Sequence, residues 1–505
     1  MASSPARMTI THTTITHMTI TRHLAMPLAV MAGCLSASLG TSISASASFF
    51  DDRSALIATN PARLSYGVAV TDVDGDGDPE FIVTGFGYAN LALGLKDGKL
   101  VNQLSDPLFA DARRKTIGVA ACDVDGDGDE EIYFLNTDTY SGEKVLADRL
   151  LDIAPTPADL FEIGDNWVAK NLTAGRSVTC VDRAGNGRYG IYVSNYGGPS
   201  RFYELKGGAT NPEIVDLSTP LGLDQTTGGR TVVSGHILGP RNDSFAANER
   251  GANFLYQNID GNFLDRAIEL GVDDTMQNGR GTALADIMYD GRLGIIVGNW
   301  NGFHRMFVPT EHSFTDIATP EFRSPSMIRT VISADFDNDG YDEIFLNNIG
   351  QPNAMFRVRD GGVLEPIALS AALEATGLGT GAAVADIDND GILDLLIAHG
   401  ESAPQPLSLF RADIEGSGRY LRVAPLTSNG APARGATVIL QTDQRQHAKT
   451  IDAGSGYLCQ MEPVAHYGLR EGEHLTSITI RWTDGSTVTQ TVETENTTLV
   501  VRKAE

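Results

Sequence analysis

Four short acidic segments hold the side chains of this sequence that are best suited to binding a metal ion. They begin at Asp72 (DVDGDGDPE), Asp123 (DVDGDGDEE), Asp335 (DFDNDGYDE) and Asp386 (DIDNDGILD). Each segment places carboxylates at positions one, three, five and nine, with a glycine at position six that permits a sharp turn between them. Oxygen ligands in this spacing suit Ca²⁺, so the sequence predicts about four calcium ions, one in each loop.

Position seven differs in chemistry from loop to loop, as expected where a residue contributes only its backbone carbonyl. The predicted ligands of the first two loops are Asp72, Asp74, Asp76, Asp78 and Glu80, and then Asp123, Asp125, Asp127, Asp129 and Glu131. Those of the other two loops are Asp335, Asp337, Asp339, Tyr341 and Glu343, and then Asp386, Asp388, Asp390, Ile392 and Asp394.

The segments on either side of each acidic loop read as β-strands rather than helices. GVAVTD precedes the loop at Asp72 and FIVTG follows Glu80, and the other loops have similar neighbours. Such runs are short and rich in β-branched and aromatic residues, and they lack the three- and four-residue spacing of an amphipathic helix. Each loop is therefore expected to join two antiparallel strands.

Degenerate copies of the loop lie between the intact ones, at Asp182, His236 and Asp286. They bring the number of repeats to seven, with anchors that are 51, 59, 54, 50, 49 and 51 residues apart. This period holds about four short strands, the size of one β-propeller blade. The sequence predicts an all-β fold with a seven-bladed propeller over residues 48–412. The loops at Asp182 and Asp286 lack ligand oxygens at two positions and are expected to bind no ion.

A second motif follows the loops and predicts the outer strand of a blade. It reads Ile214-Val-Asp216, Phe263-Leu-Asp265 and Phe314-Thr-Asp316. The seventh repeat lacks this motif, whereas Phe49-Phe-Asp51 stands alone before the first loop. We therefore expect residues 48–58 to supply the outer strand of the last blade, which would close the ring and remove exposed sheet edges.

From residue 417 the sequence changes to alternating polar and apolar segments, such as RYLRVAP and TSITIRWTDG, which predict a small antiparallel β domain over 417–505. The loops with their strands resemble the FG-GAP or VCBS repeats of integrin α-subunit propellers. The tail resembles the ASPIC/UnbV domain through Ala433-Arg-Gly-Ala-Thr, Gly454-Ser-Gly-Tyr-Leu-Cys-Gln, His466-Tyr-Gly-Leu and Arg481-Trp-Thr-Asp-Gly485. Together they resemble the cartilage acidic protein 1 family, and this resemblance implies an extracellular calcium-binding protein.

Residues 1–47 resemble a secretory signal, because basic residues precede an apolar stretch that ends in the cleavage motif Ala45-Ser-Ala47. A second interpretation stays open: Met31-Ala-Gly-Cys34 is close to a bacterial lipoprotein box, which would anchor the chain to a membrane through acylated Cys34. Both interpretations predict a secreted, periplasmic or cell-surface protein. The net charge of −26 argues against binding to nucleic acid or to an anionic membrane surface.

Cys122, Cys180 and Cys459 follow the predicted cleavage site. Cys122 and Cys180 lie one and two residues before their loops on neighbouring inner strands, so strand alternation is expected to turn them to opposite faces. This spacing predicts buried free thiols rather than a disulfide.

Arginine recurs at one position, six residues before the loop, in four consecutive repeats: Arg176, Arg230, Arg280 and Arg329. This position begins the inner strand, so the four guanidinium groups are expected at the channel mouth opposite the calcium loops. They would suit a carboxylate or sulfate ligand, because arginine presents paired donors to such anions. The alternative is that each arginine pairs with an acid of the neighbouring blade and holds the ring together.

The sequence contains no G-x-S-x-G, H-E-x-x-H or phosphate-loop motif, so it predicts no catalytic residue. Trp300, Phe303 and His304 follow a strand, where they offer stacking to a sugar or peptide or else simply pack. The favoured function is a monomeric, exported calcium-binding propeller that acts as a binding or adhesion module for an extracellular glycan or protein, with calcium structural. The alternative is a calcium-stabilised lyase or hydrolase of acidic polysaccharide, whose uronate groups the arginines would neutralise.

Overall fold

The computed structural model describes residues 48–153, 156–207, 212–414 and 418–504. The predictions for residues 1–47, including the signal segment and Cys34, lie outside the described residues. Among the residues that are described, no helix has the length and hydrophobicity needed to cross a membrane.

The β-branched and aromatic runs on either side of the loops form short strands, as their composition predicts. In chain order, the strands before residue 413 are β1 (Phe50–Asp52), β2 (Ser65–Thr71), β3 (Glu80–Gly85), β4 (Leu91–Lys96), β5 (Lys99–Asn102), β6 (Thr116–Cys122), β7 (Glu131–Asn136), β8 (Arg149–Asp152), β9 (Ala158–Asp159), β10 (Gly175–Val181), β11 (Gly190–Pro199), β12 (Arg201–Lys206), β13 (Glu213–Asp216), β14 (Thr226–Gly235), β15 (Asp243–Asn248), β16 (Phe254–Ile259), β17 (Asn262–Asp265), β18 (Gly279–Ala285), β19 (Gly294–Asn299), β20 (Arg305–Pro309), β21 (Phe314–Asp316), β22 (Ile328–Ala334), β23 (Glu343–Asn348), β24 (Ala354–Arg359), β25 (Val363–Pro366), β26 (Gly379–Ala385), β27 (Asp394–His399) and β28 (Ser408–Ala412).

Within the described ranges, these strands form seven four-stranded antiparallel units, which we call blades, and a pairing of β11 with β14 joins blades three and four into one eight-stranded sheet. Blade one is β2–β5, and each later blade takes the next four strands, up to β22–β25 in blade six. The first strand of each blade contacts the first strand of the next, and β26 of blade seven contacts β2, so the ring closes. The all-β prediction is confirmed, and the ring is consistent with the seven predicted blades. The three predicted outer-strand motifs lie in β13, β17 and β21.

The ring is closed by a strand from the start of the described chain. Blade seven takes its outer strand from β1, which pairs antiparallel with β28 and places Phe50 opposite Ala412. Phe50 is fully buried, and its ring lies 5.2 Å from that of Phe336 in blade six. The predicted closure by residues 48–58 is therefore confirmed.

The apolar core lies between the blades. Ala69 and Ile82 of blade one, for example, pack in one cluster with Val119 and Phe134 of blade two. Because both faces of a blade meet a neighbour, the inner strands read as nearly continuous apolar runs. The connections contain two short α-helices and five 3₁₀ turns in the described parts of the chain: α1 (Pro107–Ala110) and α2 (Ala267–Leu270), then Ser54–Leu56, Leu160–Glu162, Asn166–Ala169, Asp360–Gly362 and Ser370–Leu373.

The tail from residue 418 adds two further sheets. Its strands are β29 (Tyr420–Leu426), β30 (Thr437–Thr442), β31 (Gln446–Thr450), β32 (Ala465–Gly468), β33 (Leu475–Arg481), β34 (Thr487–Thr491) and β35 (Thr498–Arg502). One sheet has the order β32-β29-β35 and the other β31-β30-β33-β34, and apolar residues such as Leu421, Val438 and Trp482 share one cluster. One pair departs from the expected antiparallel pattern, because β29 and β35 run parallel.

The prediction of free thiols at Cys122 and Cys180 is wrong, since the two residues form a disulfide with a Cα–Cα distance of 6.4 Å. Both are fully buried on the inner strands β6 and β10. Their side chains do leave opposite faces of their strands. Neighbouring blades, however, present opposite faces to each other. Two side chains that leave opposite faces of their own strands can therefore meet at the interface between the blades. Cys459 is a buried free thiol.

Candidate functional site

The intact acidic loops join the first two strands of blades one, two, six and seven, and we number them by blade. The anchor aspartate organises each turn by accepting backbone N–H groups from later loop residues. In loop one, Asp72 Oδ1 accepts from Gly75 N at 2.8 Å and Oδ2 from Gly77 N at 2.9 Å. The glycine at position six has a positive φ in every intact loop, as predicted: Gly77 (95°), Gly128 (105°), Gly340 (84°) and Gly391 (85°).

Carboxylate oxygens converge in each intact loop, where they lie within 4.8 Å of one another. The converging groups are Asp72, Asp74 and Glu80; Asp123, Asp125 and Asp127; Asp335, Asp337 and Asp339; and Asp386, Asp388 and Asp390. The other predicted side chains lie outside these groups: Asp76, Asp78, Asp129, Glu131, Tyr341, Glu343, Ile392 and Asp394. Among the described residues, the degenerate loops contain no such group.

The carboxylate at position nine is oriented by the backbone of position two. Glu131 Oε2 accepts from Val124 N at 2.7 Å, and the same contact recurs in loops one and six at 2.9 and 3.0 Å. One oxygen of each glutamate is thereby fixed, and in loop six the other oxygen accepts from Arg357.

The electrostatics of the intact loops favour a bound cation. Burial, followed by the neighbouring carboxylates, raises the pKa of Glu80 to about 8 and that of Glu131 to about 9. The same causes raise the pKa of Asp335 well above its ordinary value. Asp335 Oδ1 and Asp394 Oδ2 are also buried without a hydrogen-bond partner. Clustered, partly buried carboxylates with unpaired oxygens fit a hard divalent cation, which would keep them ionised.

Loops six and seven differ from the other two by an arginine on the third strand of the blade. Arg357 Nε lies 2.6 Å from Glu343 Oε1, and its guanidinium also contacts Asp337 and Asp339. Arg411 likewise contacts Asp388 and Asp390.

The third strands of blades one and two carry no arginine at the matching position. Gly94 lies there in blade one, where a Cβ atom would fall 2.8 Å from Glu80 Oε1. In blade two the matching residue is Asp152, which follows the Leu151–Ile132 pair. The arginine of loop six lies 14 residues beyond position nine and outside the acidic motif, so the motif alone gave no signal of these arginines.

The tail packs directly against the loop end of the propeller. Hydrogen bonds and ion pairs join five of the seven anchor residues to tail residues among those described: Asp182 to Thr483 (2.6 Å), His236 to Thr437 (2.8 Å), Asp286 to Ala448 N (2.9 Å), Asp335 to Gly468 N (3.0 Å) and Asp386 to Arg422 (2.9 Å). The tail therefore contacts the anchors of all three degenerate loops and of intact loops six and seven.

A segment of the tail, residues 453–462, enters the centre of the ring, and we call it the central loop. Its backbone bonds to inner strands of different blades: Gln460 N donates to Val68 O at 3.0 Å and Thr282 N donates to Gly456 O at 2.7 Å. Cys180 N donates to Ala453 O at 2.7 Å. The central loop contains the Gly454-Ser-Gly-Tyr-Leu-Cys-Gln motif, whose conformation the sequence did not predict.

The four recurring arginines line one cavity of about 290 Å³ together with Tyr457 of the central loop, and we call it the arginine pocket. In each of these blades the pairing of the first two strands shifts register at the arginine, for example between Gly175 and Ser177 around Arg176. Such a bulge re-aims the side chain. All four are buried, with 3 to 6% of their surface exposed.

The alternative that each of the four arginines pairs with an acid of the neighbouring blade fits the structure only in part. Arg230 and Arg280 share a single carboxylate oxygen, Glu249 Oε2, and Arg329 pairs with Glu401. Glu249 follows β15 of blade four, so its contact with Arg280 does tie neighbouring blades. Arg176 has no carboxylate partner among the described residues; it donates to Thr137 Oγ1 at 3.1 Å, to Gly175 O at 2.9 Å and to Tyr140 O.

The aromatic loop after β19 contributes to this region through packing. Trp300 lies beneath two of the arginines, with its ring 5.2 Å from the Arg280 guanidinium and 4.3 Å from that of Arg329. His304 is buried, accepts from Asn299 N at 2.9 Å through Nδ1, and lies 3.1 Å from Ser326 Oγ through Nε2.

Known families match both parts of the chain. Residues 72–134 and 335–397 match the FG-GAP-like repeat, and residues 426–505 match the ASPIC and UnbV family. The fold and its loops thus define an FG-GAP repeat protein with an ASPIC/UnbV domain. The chain is 46% identical over 470 residues to cartilage acidic protein 1 of Xenopus tropicalis, which covers 86% of this chain and 72% of that protein. The human protein is also 46% identical, over 475 residues, with 86% and 71% covered.

The chain therefore belongs to the cartilage acidic protein 1 family. Among solved structures, BBS1N in complex with ARL6DN matches at 12% identity with a TM-score of 0.44, over 72% of this chain and 97% of that one.

Proposed function

We propose that this protein is an exported, non-catalytic binding or adhesion module whose propeller is stabilised by calcium in loops one, two, six and seven. The observation that carries the calcium assignment is the convergence of three carboxylates within 4.8 Å in every intact loop. Calcium would neutralise the excess negative charge of these loops, held by the anchor aspartate and the carboxylates at positions three, five and nine.

Export is supported by the Cys122–Cys180 disulfide, because such bonds persist mainly in oxidising compartments. Extracellular calcium is abundant, so sites of modest affinity would stay filled there. The large ring and the tail bury extensive cores within one chain, and a monomer needs no partner for its stability.

Metal content and melting temperature, measured with and without a chelator, test the calcium assignment. Because calcium binds only the folded loops, its removal should lower the melting temperature. Asp123→Asn should reduce the bound calcium by about one ion per chain. Asp290→Asn, in the degenerate fifth loop, is the matched control and should leave the calcium content unchanged. A melting curve that does not respond to chelator, together with no calcium in the purified protein, would refute the assignment.

The binding role requires a separate experiment on the calcium-loaded protein. A panel of glycans, matrix proteins and cell-surface proteins should yield at least one saturable ligand. Failure to bind any member of a broad panel would count against an adhesion role and leave the calcium assignment untouched.

A further inference from the structure

The arginine pocket has more positive charge than its own acids neutralise. Four guanidinium groups face three carboxylates, those of Glu249, Glu401 and Asp138. The side chain of Glu401 is 44% exposed, and Asp138 accepts its hydrogen bonds from Val145 N and Leu146 N rather than from an arginine. An excess of at least one buried positive charge therefore remains, and it lies nearest Arg176, which has no carboxylate partner among the described residues.

Donor groups in the pocket also lack acceptors. The Nε atoms of Arg176, Arg280 and Arg329 are buried without a hydrogen-bond partner. Among the described residues, Arg280 donates only to Glu249 and Arg329 only to Glu401. Leaving a buried charged donor unpaired costs free energy, so the arrangement is better satisfied with a further acceptor in the pocket.

The central loop contributes Tyr457 to the lining of the arginine pocket, beside the four arginines. Tyr457 reaches the four arginines from the tail, and its ring lies 5.8 Å from the Arg329 guanidinium. Its hydroxyl forms no hydrogen bond with a described residue. Burial alone would raise the pKa of Tyr457, yet the four arginines lower it below its ordinary value, which supports a negatively charged oxygen at this position.

The mouth of the pocket is aromatic. Tyr66, Phe86 and Tyr140 line it. Tyr140 is held from one side by Arg176 and Arg230, whose guanidinium groups lie 5.6 and 5.8 Å from its ring, but 63% of its surface is exposed. An exposed ring beside buried cations suits a ligand with an anionic group and an apolar ring face, and a sugar that bears a carboxylate or sulfate has both. The volume is at the lower end of the range for small-ligand sites, which fits one sugar residue rather than a chain.

We propose that the arginine pocket binds a single acidic sugar residue, with its carboxylate or sulfate among Arg176, Arg280, Arg329 and the Tyr457 hydroxyl, and with its ring against Tyr140. The proposal deepens the binding role proposed above and rests on it, since it names the ligand class of an extracellular module. It does not depend on the calcium assignment, because the pocket lies among residues that begin the inner strands, and the acidic loops follow the ends of those strands.

Titration calorimetry of the calcium-loaded protein with glucuronate, a sulfated N-acetylglucosamine, glucose and inorganic sulfate tests this proposal. Saturable binding of at least one acidic sugar, with no binding of glucose, is expected. Arg176→Gln should weaken that binding about tenfold through the loss of a charge-assisted hydrogen bond. Arg266→Gln, which alters a surface ion pair with Glu269, should leave it unchanged.

Tyr140→Ala separates a loss of binding from a loss of folding, since Tyr140 is largely exposed and its removal should not disturb the core. It should weaken acidic-sugar binding but leave the melting temperature close to that of the wild type. The proposal is overturned if a folded protein with a cooperative melting curve binds neither acidic sugar, or if Arg176→Gln binds as tightly as the wild type. Binding of inorganic sulfate as tight as that of the sugars, and insensitive to Tyr140→Ala, would overturn the sugar assignment.

Discussion

Arg434 of the tail and Glu130 of the second acidic loop form a bidentate ion pair, with Nε–Oε1 and Nη2–Oε2 distances of 2.8 and 3.0 Å. Arg434 is fully buried, and the same guanidinium donates to the carbonyl oxygens of Val70, Asp452 and Met461. One tail residue thus joins blade one, blade two and the base of the central loop.

Arg434→Met should destabilise the protein by about 3 to 5 kcal/mol, because it leaves Glu130 as a buried charge without its partner. Urea unfolding followed by tryptophan fluorescence measures the loss. Arg266→Gln is the control for a surface ion pair and should leave the stability close to that of the wild type. A loss as small as that of the control would show that Arg434 does not hold the tail in place.

Arg357→Gln should raise the calcium affinity of loop six about tenfold, because a guanidinium among the loop carboxylates repels the incoming cation. Calorimetric titration of calcium into the metal-free protein measures the change in that site. Arg292→Gln, beside Asp290 of the degenerate fifth loop, is the control and should have no effect. Weaker calcium binding in Arg357→Gln would mean that this arginine organises the ligands instead of competing with the ion.

His304 should make the protein sensitive to acid. Burial lowers the pKa of His304 to about 4 from an ordinary value of 6.5, so the native state binds fewer protons than the unfolded state between these values. The free energy of unfolding therefore falls as the pH decreases through this window, by about 2 kcal/mol between pH 7 and pH 5 from this residue. Urea unfolding at both pH values should show a smaller difference for His304→Gln. An equal difference in both proteins would exclude His304 as a source of acid sensitivity.

Non-reducing peptide mass spectrometry should find Cys122 linked to Cys180, with Cys459 in the free form. Reduction should lower the free energy of unfolding by about 4 kcal/mol. This is the free-energy equivalent of the loop-closure entropy for two residues 58 positions apart. Cys459→Ala should unfold with the same response to reductant as the wild type. Detection of Cys122 and Cys180 as unlinked thiols in the exported protein would contradict the disulfide.

The repeat period and the acidic spacing were enough to predict the strand-loop-strand units, because both are local. Asp72 and Gly77 interact within one turn, so their roles follow from their spacing. The closure by Phe50 was also predictable, because the last repeat lacked an outer-strand motif that the chain offered elsewhere.

Features that depend on packing between units could not be predicted in this way. Cys122 and Cys180 were assigned to opposite faces correctly, but the inference of free thiols ignored that adjacent blades turn opposite faces toward each other. Arg357 contacts loop six from the third strand of the blade, and Tyr457 contacts the four arginines from the central loop of the tail. No sequence spacing encodes either contact.

The central loop has a consequence for how the protein stays soluble. Each inner strand of a propeller has a free edge toward the axis, and in this protein Val68, Cys180 and Thr282 bond to the central loop at that edge. Unpaired strand edges recruit strands from other molecules. A chain truncated before residue 417 would leave these edges open, so we expect the tail to protect the propeller from aggregation.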